Sequence, residues 1–379
     1  MAQVSHGHSP RAVCIDTFVV HTRMRGWLCN RYGGDPFETA KHLTCAQKLP
    51  IPMPGKGQLQ IKVQFSAADP ADWMLLSGTC KDRFPVAFPF VPGFDAVGEV
   101  TQLGEGCETG IRVGDRVVCC LGLQESFQKG SASKFEGTLA EYCACPEDRV
   151  SKVPDHVDLR EIAGLPLAGL TAYQALFTGN GASTKGEPLG TIAGDSKVLI
   201  LGGNRGAGHI ALQLAKLVGA HVTVTVPPSC VEWMRALGAD DVINFRDRWL
   251  ETVAGSGFDL ILDCVGWATS IAEMDRAAVA LRRGGQYVST SNFGIFETSA
   301  ASVPRQGCEF KAIVPTVSAE DLDILVNMVS VGKLNVNIDQ VVPFTEARHA
   351  LHECVVGQCR GKVVLCHCGA GASGAHGGA

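Results

Sequence analysis

Hydrophobic patterning changes character near the middle of the chain. In the first half, apolar and polar residues alternate in short runs: "QLQIKVQFSA" (Gln58 to Ala67), "DAVGEVTQLG" (Asp95 to Gly104) and "GDRVVCCLG" (Gly114 to Gly122), with glycine and proline between them. A period of two marks a strand with one buried face. "TLAEYCACPEDRVSKVP" (Thr138 to Pro154) reads as a further strand pair. Short strands at this spacing predict a partly open barrel or sandwich. An opening strand is expected near Arg11 to Phe18, followed by a polar, irregular stretch up to Gln58 that reads as an insertion. "LQESFQKGSASKFEG" (Leu123 to Gly137) reads as a mobile loop.

The second half follows a different rhythm. "EIAGLPLAGLTAYQALF" (Glu161 to Phe177) is helical and interrupted at Pro166. From Lys197 strands and helices alternate: "KVLILGG", "HVTVTV", "DVINF", "DLILDCVG" and "GQYVSTSN" are the strands, and "GHIALQLAKLVG", "SCVEWMRALG" and "SIAEMDRAAVALRRG" the helices. Such alternation predicts βαβ units, and hence an α/β fold with a doubly wound parallel sheet covered on both faces. After Phe310 come a helix, "SAEDLDILVNMVSVGKL", and strand-like pieces ending in "CRGKVVLCH". The expected organisation is a discontinuous β-rich catalytic domain over residues 1–165 and 316–379, with a low-complexity tail disordered from about 367. A nucleotide-binding domain over 166–315 is inserted into it, and the groove between the two is the expected active site.

Composition narrows the function classes. The 379 residues suffice for about two domains. A net charge of −5 and the lack of a basic block argue against nucleic acid as a partner. No apolar run approaches the ~18 residues of a membrane span. The first residues lack the basic and apolar parts of an export signal, so a cytoplasmic protein is expected, with the mitochondrion as the alternative. The 16 cysteines sit mostly in apolar segments and read as reduced core thiols. Cys119 with Cys120 and Cys143 with Cys145 are too closely spaced for a zinc knuckle, so no metal is expected.

Candidate chemistry lies in "VLILGGNRGAGHIALQLAK". Gly202, Gly203, Asn204, Arg205, Gly206, Ala207 and Gly208 join a strand to a helix, so backbone N–H groups and a helix N-terminus are offered to a pyrophosphate. At the end of the next strand an NAD site carries an acid for the ribose hydroxyl. Here Thr225, Val226, Pro227, Pro228 and Ser229 occupy that place, which permits a 2′-phosphate. Arg205, Arg246 and Arg360 are the cations available to it. NADPH is therefore the expected cofactor.

Together with "PGKGQLQIKVQFSAADPADWMLLSG", "FPFVPGFDAVGEV", "GTLAEY", "LPLAGLTAYQAL", "LGADDVINF", "FDLILDCVG" and "RGKVVL", in that order along the chain, these features resemble the zinc-free branch of the medium-chain dehydrogenase/reductase superfamily. More narrowly, they resemble its NADPH-dependent quinone oxidoreductases. The resemblance implies a GroES-like catalytic domain with a Rossmann domain, and a homodimer. It implies Thr171 near the nicotinamide ribose, and Cys264, Val265, Gly266, Ser289, Ser291 and Asn292 flanking the nicotinamide. Asp69 stands where the family often has Asn, near the same ring, and could stabilise its charge as hydride leaves. Pro92, Gly93 and Asp95 read as architectural. Phe245 replaces a Tyr that bacterial relatives carry on the 2′-phosphate side, and can still line an adenine pocket. Trp73 and Phe94 are candidates for an apolar acceptor pocket. His209 is expected on the first turn of its helix, facing solvent or phosphate. Enoyl thioester reductases of the superfamily place a Tyr shortly after the Asp69 segment, whereas here the stretch reads "MLLSGTCKDRF". That favours a quinone or reactive α,β-unsaturated carbonyl as the small-molecule substrate. An enoyl thioester reductase and a non-catalytic NADPH-binding protein are the alternatives.

Overall fold

The computed structural model describes residues 23–122, 136–178, 192–247, 249–265, 274, 277–290 and 307–368. The β-rich part runs β1 (Arg23–Cys29), α1 (Pro36–Thr39), β2 (Leu43–Pro50), β3 (Gln58–Ala68), α2 (Pro70–Ser77), β4 (Asp95–Leu103), β5 (Arg116–Cys120), β6 (Tyr142–Pro146) and β7 (Val150–Lys152). Two helices, α3 (Leu159–Ala163) and α4 (Pro166–Tyr173), lead out of it. The alternating part follows: β8 (Lys197–Leu201), α5 (Gly206–Leu217), β9 (His221–Val226), α6 (Val231–Ala236), β10 (Asp241–Asn244), α7 (Trp249–Val253), β11 (Phe258–Asp263), β12 (Leu281–Ser289) and β13 (Glu309–Ala312). The chain then returns through α8 (Ala319–Ser330), β14 (Ile338–Pro343), α9 (Ala347–Val356) and β15 (Lys362–Cys366).

The first sheet has the order β14-β15-β3-β4-β5-β7, and β6 also pairs with β3. One edge of β3 is shared: Gln58 to Lys62 pair with β6, and Phe65 to Ala68 with β15. The alternating side chains Leu59, Ile61 and Val63 turn into the interior with Val97, Val117, Cys119 and Cys143. This is the GroES-like sheet domain, and β14 and β15 close it from the far end of the chain. The region read as an insertion forms a two-stranded antiparallel sheet instead, with Trp27 opposite Cys45. Its two strands are separated by a polar stretch, so period-two alternation is visible only once they pair. The expected opening strand, most of the expected mobile loop and the tail from 369 lie outside the described residues.

The second sheet has the order β10-β9-β8-β11-β12-β13, and every pairing is parallel. The order reverses between β8 and β11, which is the Rossmann topology and places a ligand crevice at the carboxyl ends of those strands. Successive residues serve opposite layers. Val198 and Ile200 join the large core shared with the first sheet, while Leu199 and Leu201 join a second core with Phe258, Ile261 and Tyr287. β13 was not expected: "EFKA" has only four residues and two charges, and it is a strand because β12 offers it a parallel edge. Pro166 does separate two helices, since it cannot donate the N–H that continuation of α3 requires. Among the described residues no helix is long and apolar enough to cross a membrane.

Candidate active site

The crevice holds a cleft of about 1,020 Å³, counting its solvent-filled mouth. Its walls are the start of α2, the start of α4, the glycine turn before α5, the end of β11, and the segment from Cys354 to Val363. The lining is mostly apolar, including Ala68, Met74, Leu167, Val265, Val314 and Pro315.

The glycine turn is built by close approach. Gly202 has a φ of 76°, and its N–H, like that of Gly203, donates to the Thr225 carbonyl of β9. A Cβ on Gly208 would stand 2.2 Å from the Gly202 carbonyl oxygen, and one on Gly203 2.9 Å from Cβ of Val224. Only glycine lets α5 start this near to β8 and β9. The neighbours of these glycines tie the turn to the other domain. The Asn204 side-chain amide donates to the Gly357 and Cys359 carbonyls, and the Gly361 N–H donates back to the Asn204 carbonyl. Arg205 is the N-cap of α5 and donates to the Cys354 carbonyl at 3.3 Å. It is half-buried in the cleft wall rather than free at the surface. Gly206 and Ala207 also line the cleft.

A second cluster stands across from this turn. β3 ends at Ala68, and Asp69 becomes the N-cap of α2 with Pro70 at the first helical position. The Asp69 N–H donates to the Asp72 carboxylate at 3.0 Å. Register then delivers two more groups: Val363 pairs with Ala68, which sets Lys362 level with Asp69, and Ala67 pairs with Asp95. Lys362 Nζ bonds the Asp69 carboxylate and stands 3.9 Å from Asp95 Oδ2. Both Asp95 oxygens accept from the Leu167 N–H at the start of α4. Gly206 leaves the room for this, because a Cβ there would meet Cδ of Lys362 at 2.7 Å.

This cluster is buried: the Lys362 and Asp69 side chains are each 3% exposed, and Asp72 and Asp95 not at all. One ammonium faces three carboxyl groups away from water. Burial, then the nearby Asp69 charge, pushes the Asp72 carboxyl up to about 8. Burial and Asp69 likewise hold Asp95 well above the usual carboxylate range. Burial alone would lower the Lys362 ammonium, but Asp69 and Asp95 more than offset it, and its proton is held more tightly than usual. Asp69 Oδ2 and Asp72 Oδ1 have no hydrogen-bond partner.

The remaining sequence candidates divide. Thr171 lines the cleft with its hydroxyl donating to the Leu167 carbonyl, and Cys264 and Val265 line it at the end of β11. Ser289 is fully buried behind it at the end of β12, whereas its neighbour Thr290 reaches the lining. Gly266, Ser291 and Asn292 lie outside the described residues. Thr225 and Val226 are buried beneath the turn, and Phe245 hydrogen-bonds Val226 through its N–H while exposing its ring. The Arg246 guanidinium lies over that ring, 5.8 Å from its centre, and Arg360 donates to the Ser229 carbonyl. Trp73 and Phe94 do not line the cleft. Trp73 packs with Met74 and Val355, and Phe94 is in the sheet-domain core, because α2 and β4 turn these side chains away from the crevice. Met74 is the residue of that region that reaches it.

His209 also departs from expectation. It is wholly buried, its Nε2 accepts from the Asn337 N–H, and its Nδ1 bonds the Arg205 carbonyl. Burial holds it neutral, down to about 4. It fastens α5 to the returning chain and meets neither solvent nor phosphate. Lys362 was not among the expected site residues. Its only signal is a lone lysine opening an apolar strand in "RGKVVL".

A glycine turn at the switch point of a parallel sheet, facing polar groups of a second sheet domain across an apolar cleft, defines a dinucleotide-dependent oxidoreductase. Residues 237–365 match the family described as zinc-binding dehydrogenase, and residues 55–155 match the alcohol dehydrogenase GroES-like domain. The chain is 32% identical over 343 residues to the chloroplast envelope quinone oxidoreductase homolog of Arabidopsis thaliana, covering 89% of this chain and 96% of that one. It is 28% identical over 329 residues to the chloroplastic NADPH-dependent alkenal/one oxidoreductase of the same plant, covering 86% and 75%. The structure of the quinone oxidoreductase from Coxiella burnetii superposes with a TM-score of 0.75 at 25% identity, over 90% and 99% of the two chains. The chain belongs to the medium-chain dehydrogenase/reductase superfamily, among its quinone oxidoreductase-like enzymes.

The first family description names zinc, and the residues do not fit it. Among the described residues no group of three or more His, Cys, Asp or Glu is placed to hold a metal ion. The carboxylates that converge at the cleft already face a cation, the Lys362 ammonium. A nicotinamide dinucleotide does fit. The glycines bring the N-terminus of α5 close to the strand ends, and Arg205, Gly206 and Ala207 at that N-terminus open onto the cleft.

Proposed function

We propose that the enzyme transfers a hydride from NADPH to a quinone or another reactive α,β-unsaturated carbonyl without a metal. The observation that carries this is the apolar cleft joining the glycine turn to the buried acid and lysine cluster. A flat, uncharged acceptor suits such walls, and no tyrosine stands among the described residues lining them. When bound, the cofactor supplies the hydride, and the protein's part is to place the acceptor and exclude water. The start of α5, at Gly206 and Ala207, would offer backbone N–H groups to the pyrophosphate, and Thr171 would stand near the ribose. Asp69, which lines the cleft with its carboxylate bonded to Lys362, would lie near the nicotinamide. The Arabidopsis relatives named for quinones and for alkenals support this acceptor class.

Two finer parts belong to the same proposal. NADPH is favoured over NADH because the end of β9 offers no carboxylate and Arg246 and Arg360 flank it. A homodimer is the expected assembly, and light scattering checks it.

The enzyme reading is tested by mixing protein and NADPH with 1,4-benzoquinone, 3-penten-2-one or a crotonyl thioester and following loss of reduced-nicotinamide absorbance. Oxidation with the first two and little with the thioester is the expected result. NADPH binding without turnover of any acceptor would leave a non-catalytic nucleotide-binding protein. Titrations with NADH and NADPH test the cofactor preference, which equal affinities would refute.

A further inference from the structure

Protonation of the acceptor is the step for which no tyrosine is at hand. Reduction of an enone needs two deliveries: hydride at the β-carbon and a proton on the enolate that results. A quinone needs less help, since its reduced anion is stable and takes its proton from water. The cleft holds one concentrated source of protons. Lys362 enters it from β15 and Asp69 from the N-cap of α2, while Asp95 of β4 lies fully buried behind them. The groups facing Lys362 are Asp69, Asp95 and, further off, Asp72, with the Cys354 thiol on α9 and neutral His209 on α5.

Resting on the proposed function above, we infer that Lys362 is the proton donor of the cleft and Asp95 the store that refills it. Hydride, which a bound reduced nicotinamide would supply to the β-carbon, would leave the enone as an enolate with its negative charge on oxygen. One N–H bond of the Lys362 ammonium breaks, its electrons stay on nitrogen, and the proton bonds to the enolate oxygen. The enol becomes the ketone after release. The neutral amine, no longer held by the Asp69 carboxylate, turns to the Asp95 carboxyl, 3.9 Å away in the resting cluster, closes to hydrogen-bond distance and takes its proton, which solvent restores through the cleft. Asp69 positions the ammonium by holding one of its N–H groups. Two physical points support the sequence. Three carboxyl groups share one cation away from water, so some of them keep a proton near neutral pH. An enolate is about as basic as an amine, so the match that general acid catalysis needs is met even by a tightly held ammonium.

The test is Lys362→Arg, which keeps the charge but has no proton to give near neutral pH. With 3-penten-2-one, kcat is expected to fall about 100-fold or more, with loss of the solvent isotope effect on that step. With 1,4-benzoquinone the loss in kcat is expected to be much smaller than with the enone, because its reduced anion takes its proton from water, and the NADPH dissociation constant read by fluorescence reports any disturbance of the cofactor side. An equal loss on both acceptors, or none on the enone, overturns the inference. If wild-type protein binds NADPH and reduces neither acceptor, the functional proposal itself fails, a distinguishable result. Should Lys362→Arg not fold, as shown by its melting curve, Asp95→Asn decides. In that variant a first enone turnover with enzyme in excess runs at the wild-type rate while steady-state turnover slows about tenfold or more, and an unchanged steady state overturns the inference.

Discussion

The two sides of the cleft are built in opposite ways. The glycine turn works by omission: Gly203 and Gly208 lack the atoms that would push α5 off the sheet, and seven consecutive residues make it. The acid and lysine cluster works by side chains, and residues 69, 72, 95 and 362 come from three separate parts of the chain. One side offers N–H groups and a helix N-terminus to any dinucleotide. The other holds its ionisable groups away from water, where their protonation is sensitive to every neighbour. The general, cofactor-binding part of the chemistry therefore rests on backbone, and the part that distinguishes this enzyme rests on charge. That difference predicts that the two sides fail differently when altered.

The largest effect is expected from Lys362→Met. It leaves the Asp69 carboxylate buried without its cation, and breaking such a pair costs about 3–5 kcal/mol because an uncompensated charge remains. Chemical denaturation should show that loss at pH 7. Adding Asp69→Asn should restore a large part of it, since the orphaned charge is then removed. If the double variant is no more stable than the single one, the cluster is held by packing and the contrast between the two sides disappears.

Gly208→Ala comes next. Its Cβ would meet the Gly202 carbonyl oxygen at 2.2 Å, and that neighbour is backbone. The start of α5 must move, at a cost of about 1–3 kcal/mol as in other overpacked sites. The distinguishing readout is the cofactor: NADPH affinity should fall about tenfold or more while the pH dependence of stability keeps its shape. A wild-type dissociation constant would show that the turn tolerates what the geometry forbids.

The same contrast governs how much of the site was legible in the sequence. The turn was readable because strand, glycines and helix lie in one stretch, and the period of the apolar pattern changes across it. Asp69 was singled out where the superfamily has Asn, but its partner was not, because nothing near Asp69 in the chain points to a residue 293 positions away. Lys362 and Asp69 meet only through the β15–β3 register. Asp95 reads as architectural and accepts from the Leu167 N–H at the start of α4, but its second role, facing an ammonium, depends on a residue from the end of the chain. Trp73 and Phe94 were misplaced because composition identifies an apolar residue without telling which wall of a helix or strand it covers. Sequence alone puts His209 on a first turn facing solvent or phosphate, and the fold buries it because Asn337, which bonds it, comes from the returning chain. The fold itself was legible in its period-two and alternating patterns, apart from the β1–β2 pair and β13, where strand character depends on a partner edge, the short helix α7, and Leu281 to Gly284, expected to end a helix and found to open β12 beside β11.

The smallest effect concerns the pH dependence of stability, and it isolates one member of the cluster. Asp72 titrates near 4 when unfolded, and burial raises it to about 8 in the fold. Between those values the native state binds the proton that the unfolded chain has released. Stability is therefore greatest below pH 4 as far as this group is concerned and is lost as pH rises toward 8, at about 1 kcal/mol per pH unit. The buried histidines have the opposite sign. His209 and His367 are lowered to about 4 and about 3, so their contribution is complete above 6.5 and is lost as pH falls. From pH 6.5 to 8 the histidine contribution to the slope fades while the buried thiols, raised above 9, begin to add to the decline, so the carboxyl contribution is read as the difference between wild type and variant. Asp72→Asn cannot ionise and should flatten the decline across that window by up to about 1 kcal/mol per pH unit, leaving a residual slope from Asp95, which is raised by the same causes. Denaturant midpoints measured at pH 6.5, 7.2 and 8 would show it. An unchanged slope would mean that Asp72 is already ionised in the fold, and that the ammonium of Lys362 balances more of the cluster than its burial allows.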